Sequence, residues 1–142
     1  MAINKGVEEW LFSYLENSLK DTEFYQLLGI ELIEIGAGEA VLGAKTTSKH
    51  TNPLGLIHGG LLMSIADAAM GNAIRSLGAR AVTIDMSTSF IAAAQVATEI
   101  KATGKVLKSG NKLFFAEAFI NSSEKLLVHT KGTFYKTGDI TP

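Results

Sequence analysis

The chain has 142 residues, 46% of them hydrophobic and 19% charged. That is enough for one globular domain able to bury roughly 70% of its unfolded surface without staples. The balance of 13 basic and 14 acidic residues leaves a formal net charge of -1, and no Lys/Arg block suggests a polyanion-binding surface or a nucleic-acid partner. The absence of cysteine excludes disulfides, thiolate metal sites and a cysteine nucleophile, and fits a reducing compartment.

The start, Met1-Ala2-Ile3-Asn4-Lys5, lacks the charged-then-apolar pattern of a signal peptide. Over residues 5–20, Val7, Trp10, Leu11, Tyr14, Leu15 and Leu19 form one apolar stripe at helical spacing, so an amphipathic helix is predicted there. Residues 29–47 change period. Ile30, Leu32, Ile33 and Ile35 precede Gly36-Ala37-Gly38, and Ala40 to Ala44 follow, which reads as two strands about a glycine turn. Residues 48–58 are polar and turn-rich, with Asn52-Pro53 and Gly55. From Gly59 to Leu77 the chain is apolar nearly all round, predicting a buried helix of ~28 Å.

The remainder predicts about four strands. Val82, Ile84 and Met86 alternate with Thr83, Asp85 and Ser87. Strands over 99–107 and 113–121 meet at the hairpin turn Ser109-Gly110-Asn111, and a turn at 122–124 leads to a last strand over 125–136. Charged residues interrupt every apolar stretch well short of the ~18 residues of a membrane span, so a soluble, cytoplasmic protein without a membrane partner is expected. One apolar helix cannot bury itself; a single antiparallel sheet curled around it would. The predicted class is α+β, a hotdog fold with an extra N-terminal helix, as one domain over 1–142.

Two features between residues 52 and 67 carry chemistry. His58-Gly59-Gly60 opens the buried helix. A helix N-terminus offers unpaired N–H groups and partial positive charge, and glycine lets a ligand atom approach them. A carbonyl oxygen at the Gly59 N–H would be polarised as in an oxyanion hole. The alternative is a tight loop-to-helix turn without a ligand. Asp67 lies mid-helix between Ala66 and Ala68. Burying an unpaired carboxylate costs several kcal/mol, so this aspartate either has a job as a base, or is bonded to a neighbouring strand or faces a solvated seam. Eight residues separate Gly59 from Asp67, or ~12 Å along a continuous helix. One chain cannot easily bring both to one reacting carbonyl, whereas two antiparallel copies could, so composite sites in a homodimer are expected. His50, His58 and His129 are the only histidines, and no H-x-x-x-H spacing joins them, so no metal is expected.

The run Asn52-Pro53-Leu54-Gly55-Leu56-Ile57-His58-Gly59-Gly60, followed by Asp67, resembles the signature of hotdog-fold thioesterases of the phenylacetate-pathway (PaaI-like) and 4-hydroxybenzoyl-CoA type. Phe24 to Gly38 looks like that family's opening strand and Val82 to Met86 like the strand after its helix, so the resemblance spans about 24–137. It implies hydrolysis of acyl-CoA. Gly59 N–H would polarise the thioester carbonyl, and Asp67 would act as nucleophile or general base. His58 and Asn52 would position the carbonyl or the attacking water, and Thr83 would help hold that water. Gly60, Met63, Lys108 and Lys112 are candidate substrate contacts, the lysines for the phosphates of coenzyme A and Met63 for an apolar acyl group. Dimers, often paired into tetramers, are implied, with no cofactor beyond the coenzyme A of the substrate. A non-catalytic acyl-CoA-binding domain is the alternative from another class; a hydratase would need Asp and His close together on one loop and helix, a pattern not seen here.

Overall fold

A computed structural model describes residues 1–142. It opens with a two-residue strand, β1 (Ile3–Asn4), and helix α1 (Glu9–Asp21). The predicted helix begins later than residue 5 because Asn4 Oδ1 accepts the N–H groups of Gly6 (3.1 Å) and Val7 (2.8 Å), which makes a turn of the preceding residues. Leu11, Phe12, Leu15 and Leu19 form the buried stripe of α1. Tyr14 stays at the surface, where the Arg75 guanidinium lies 5.7 Å from its ring centre.

Residues 24–28 are not the start of a strand. They belong to a short helix, α2 (Glu23–Leu28), and the strand β2 occupies Glu31–Gly36. Phe24 and Tyr25 have strand propensity, but local bonding decides the matter. Thr22 Oγ1 donates to the Ser18 carbonyl at 2.7 Å and closes α1, the Thr22 carbonyl accepts the Gln26 N–H at 3.1 Å and opens α2, and Gly29 closes α2 in the left-handed region. Gly38, at φ +76°, makes the turn from β2 into β3 (Glu39–Lys45).

Helix α3 (Gly59–Arg75) follows, then β4 (Ala79–Phe90), β5 (Glu99–Ser109), β6 (Leu113–Ser122) and β7 (Lys125–Asp139). The seven strands form one sheet in the order β1-β2-β3-β5-β6-β7-β4. Every pair is antiparallel except β1–β2, so the predicted antiparallel sheet is mixed at that one edge. The sheet wraps α3, which touches β2 through β7. This is the hotdog architecture, with α1 and α2 added in front. No helix is long and apolar enough to cross a membrane.

The helix and sheet meet most closely at Gly104 in β5, where any Cβ would collide with the backbone of Ala69 and Met70. At one end of the sheet order, β4 is an edge bonded only to β7, with Val82 54% and Ile84 57% exposed. A register shift between Thr83 and Asp85 breaks the expected continuous alternation of Val82, Ile84 and Met86. Because Gly104 allows backbone-to-backbone packing, Gly104→Ala should lower stability by about 1–3 kcal/mol and the thermal midpoint by several degrees. Thermal denaturation followed by circular dichroism measures this; an unchanged midpoint would show that the contact is not tight.

Candidate active site

The loop leading to α3 is bonded mainly to itself. The Asn52 N–H donates to the Leu56 carbonyl at 2.8 Å. Asn52 Oδ1 accepts the N–H groups of Leu54 (2.9 Å) and Leu56 (3.1 Å), so the side chain shapes the loop. Its Nδ2 is left free of any bond within the chain. Ile57 N–H reaches the Ala94 carbonyl (3.2 Å), and His58 N–H reaches the His50 carbonyl (2.8 Å).

His58 is the N-cap of α3, and its Nδ1 accepts the Gly60 N–H at 2.7 Å. A Cβ on Gly60 would sit 2.9 Å from that nitrogen, so glycine is what lets the ring lie over the first turn. Leu61 N–H turns back to the His58 carbonyl (3.1 Å). Gly59 N–H has no acceptor in the chain and is a free donor at the positive end of a 17-residue helix. Beside it lies a cleft of about 340 Å³, lined by Asn52, Leu56, Ile57, Gly59, Leu62, Phe90 and residues 91–94. Phe90, 51% exposed, stands against Gly59: a Cβ there would be 3.1 Å from its ring.

Asp67 lies two turns along the same helix. It is half-buried rather than buried as expected, because it sits on the side of α3 that the sheet leaves uncovered, with Gly60, Ser64, Gly71 and Met63 (41% exposed). The partner foreseen on a neighbouring strand is Thr83 of β4, whose hydroxyl donates to Asp67 Oδ1 at 2.6 Å. That bond leaves Oδ2 with no partner in the chain. Gly59 and Asp67 stay ~12 Å apart on one unbroken helix.

The thioesterase superfamily model matches residues 54–128, from the loop before His58 into β7 and so including Asp67 and Thr83. The chain belongs to the thioesterase superfamily. Human acyl-coenzyme A thioesterase 13 is 31% identical over 120 residues, 79% of this chain and 86% of that protein. The Escherichia coli PaaI protein from the phenylacetic acid degradation operon superposes with a TM-score of 0.88 at 23% identity, covering 96% of this chain and all of that one. A thioesterase protein from Streptococcus pneumoniae, solved with coenzyme A, superposes at 0.76 and 23% identity, covering 79% and 91%. The family makes the chain a thioester hydrolase.

Other residues of this thioesterase fall elsewhere. Lys108 and Lys112 flank the β5–β6 hairpin, exposed and in no ion pair. Cross-strand partners run from Thr83 to Phe134, Phe114 and Ser109, which puts the hairpin level with Asp67 but three strands, or ~14 Å, across the sheet. No three histidine or acidic side chains converge anywhere in the chain. Tyr25, absent from the expected site, is in electrostatic reach of Asp67. Burial raises its phenol above the ordinary tyrosine range, the Asp67 charge adds to this, and Arg75 opposes it. The chain has three tyrosines. In an alkaline titration followed by ultraviolet difference absorbance one should ionise late, and Tyr25→Phe should remove that late step. An unfolded chain gives up the Tyr25 proton first, so stability is complete below the ordinary tyrosine value and falls as pH rises through and beyond it. A single shared step for all tyrosines would contradict this reading.

Proposed function

We propose that the chain hydrolyses acyl-CoA thioesters to a free acid and coenzyme A, at two composite sites in a homodimer. The observation that carries this reading is the free Gly59 N–H at the start of α3, facing an apolar cleft. The similarity to acyl-coenzyme A thioesterase 13 supports coenzyme A as the leaving group. The thioester carbonyl oxygen would accept from Gly59 N–H, with its acyl group lying toward Phe90 and Leu62. Asp67 of the other protomer would take a proton on Oδ2 from a water that attacks the carbonyl carbon. The oxyanion so formed gains most from a fixed donor because its charge exceeds that of the ground-state oxygen. The C–S bond then breaks, and the departing thiolate receives the proton held by Asp67. Direct attack by the carboxylate, through an anhydride later opened by water, uses the same groups.

The remaining residues take supporting roles. Thr83 holds one carboxylate oxygen and so aims the other. His58 occupies the Gly60 N–H and leaves the Gly59 N–H as the donor at the cleft. Asn52 Nδ2 can reach the carbonyl or the water. Gly60 and Met63 line the uncovered face of α3, and Lys108 and Lys112, exposed at the β5–β6 hairpin, would meet the phosphates of coenzyme A if its nucleotide end extends that far across the sheet. Pairing the dimers into a tetramer fits the same reading.

Asp67→Asn should cut turnover at least ~100-fold with KM little changed. Gly59→Pro removes the N–H at a helical position whose backbone suits proline, with His58 at ψ 134° already extended, and Gly59→Ala, which makes the same 3.1 Å Cβ contact with Phe90 but keeps the N–H, is its control. Turnover of the proline variant should fall ~100–1,000-fold. Asp67→Asn and Gly59→Pro, unfolded and refolded together, test the composite site. A mixed dimer carries one site with both native groups, so about a quarter of wild-type thiol release should return. No recovery, with mixed dimers demonstrated, would place each site within one chain. Binding of a panel of acyl-CoAs without thiol release would favour the acyl-CoA-binding reading instead.

A further inference from the structure

We propose that His50 is a positioning residue for the Gly59 amide, and that it fixes the active-site loop against the C-terminus of α2. This rests on the reading of Gly59 as the donor to the thioester carbonyl. The residue makes bonds in three directions. Its ring Nδ1 accepts the Thr47 N–H at 3.0 Å. Nε2 therefore carries the proton, and it meets the Leu28 carbonyl, the last residue of α2, at 2.9 Å. The His50 carbonyl in turn accepts the His58 N–H at 2.8 Å. His58 then holds Gly60 through its own ring. Gly59 thus lies between two residues whose N–H groups are both bonded, and the chain of bonds that sets its direction runs back to His50.

A purely structural role fits less well. The His50 ring is half-buried and lies outside the apolar core. It occupies the place of the glutamine or glutamate of an ordinary capping box, returning to the N–H of Thr47. Those residues serve as the acceptor; imidazole adds a donor on the opposite edge, and that donor reaches a segment 22 residues away. The loop from Thr47 to Gly59 is thereby joined through a side chain to the helices in front of the fold. Sub-ångström placement of a donor matters to a transition state far more than to ground-state binding. Loss of the tie should therefore appear in kcat and leave KM nearly unchanged.

The test compares wild type with His50→Ala, His50→Gln and His50→Glu. It reads kcat and KM for thiol release from an acyl-CoA, the thermal midpoint, and the amide resonances of Gly59 and Gly60. Alanine should lower kcat ~10-fold or more with KM within about twofold, and should shift both resonances. Glutamine, which keeps an acceptor for Thr47 and a donor for Leu28, should restore most of each. Glutamate keeps the acceptor alone, so it should recover neither kcat nor the resonances. Should alanine prevent folding, the glutamine–glutamate contrast decides. Alanine that lowers the midpoint while kcat and both resonances stay put would overturn the proposal, and so would glutamate performing as well as glutamine. A wild-type protein that cleaves no thioester would instead defeat the acyl-CoA hydrolase reading, and the resonances alone would then decide whether His50 positions Gly59.

Discussion

Ten of the 17 residues of α3 are buried, and a helix so apolar has to be covered on several sides. One sheet achieves most of this by curling, and the curl depends on the backbone of β5 reaching the backbone of α3 at Gly104. Helix α1 covers the C-terminal end, where Arg75 bonds Ser18 at 2.7 Å and Asn72 at 2.9 Å. What neither layer covers is a narrow strip from Gly60 to Gly71. An unbonded polar side chain among the buried positions would cost several kcal/mol, and Asn72, the one polar residue buried there, bonds the Ala68 carbonyl at 2.8 Å as well as Arg75. Ser64 and Asp67 fall on the strip, so the need to bury one helix also determines where its chemistry faces.

The start of the same helix shows how an unpaired donor can be isolated from its neighbours. The first turn of any helix has N–H groups without intrahelical partners. Here the Gly60 donor is taken by His58 Nδ1, and Leu61 closes a tight turn onto the His58 carbonyl. With these two engaged, the Gly59 donor remains at the cleft. While it faces water, leaving it unpaired costs little. Against an oxygen that gains charge during reaction, as in the proposed hydrolysis, it would be a fixed stabilising dipole requiring no rearrangement. Free donor and capped neighbours are one arrangement, which is why two adjacent glycines are used with different purposes.

Much of this was legible in the sequence, and the misses have physical causes. The period of residues 59–77 marked the central helix because nearly every position had to be apolar. The glycines before it and the aspartate within it stood out because neither suits a helix interior. Residues 24–28 enter a strand only through the family resemblance, while the residue pattern itself begins its strands at 29; the helix at 23–28 is bounded by the Thr22 carbonyl, which accepts the Gln26 N–H, and by Gly29 in the left-handed region. The alanines beside Asp67 favour burial but leave a solvated seam open as the alternative, because which face of a helix a sheet leaves uncovered is a tertiary fact. Tyr25 and His50 carried no signal. The first acts through burial and distant charge, and the second bonds backbone groups that every residue possesses.

The strip along α3 and the edge strand β4 are adjacent, and Thr83 joins them through its bond to Asp67. An edge strand bearing exposed Val82 and Ile84 is a surface that favours pairing with another strand. A second copy joined there by a two-fold axis would lay its own α3 antiparallel to the first and close both strips together. The ~12 Å between Gly59 and Asp67, too long for one chain to bridge, would then separate two sites instead of dividing one. Closure would also exclude bulk water around the carboxylate and the amide, leaving the attacking water and strengthening every charge–dipole interaction between them. On this reading the exposed edge and the half-buried aspartate are the same feature, an active site whose second wall is another molecule of the same protein.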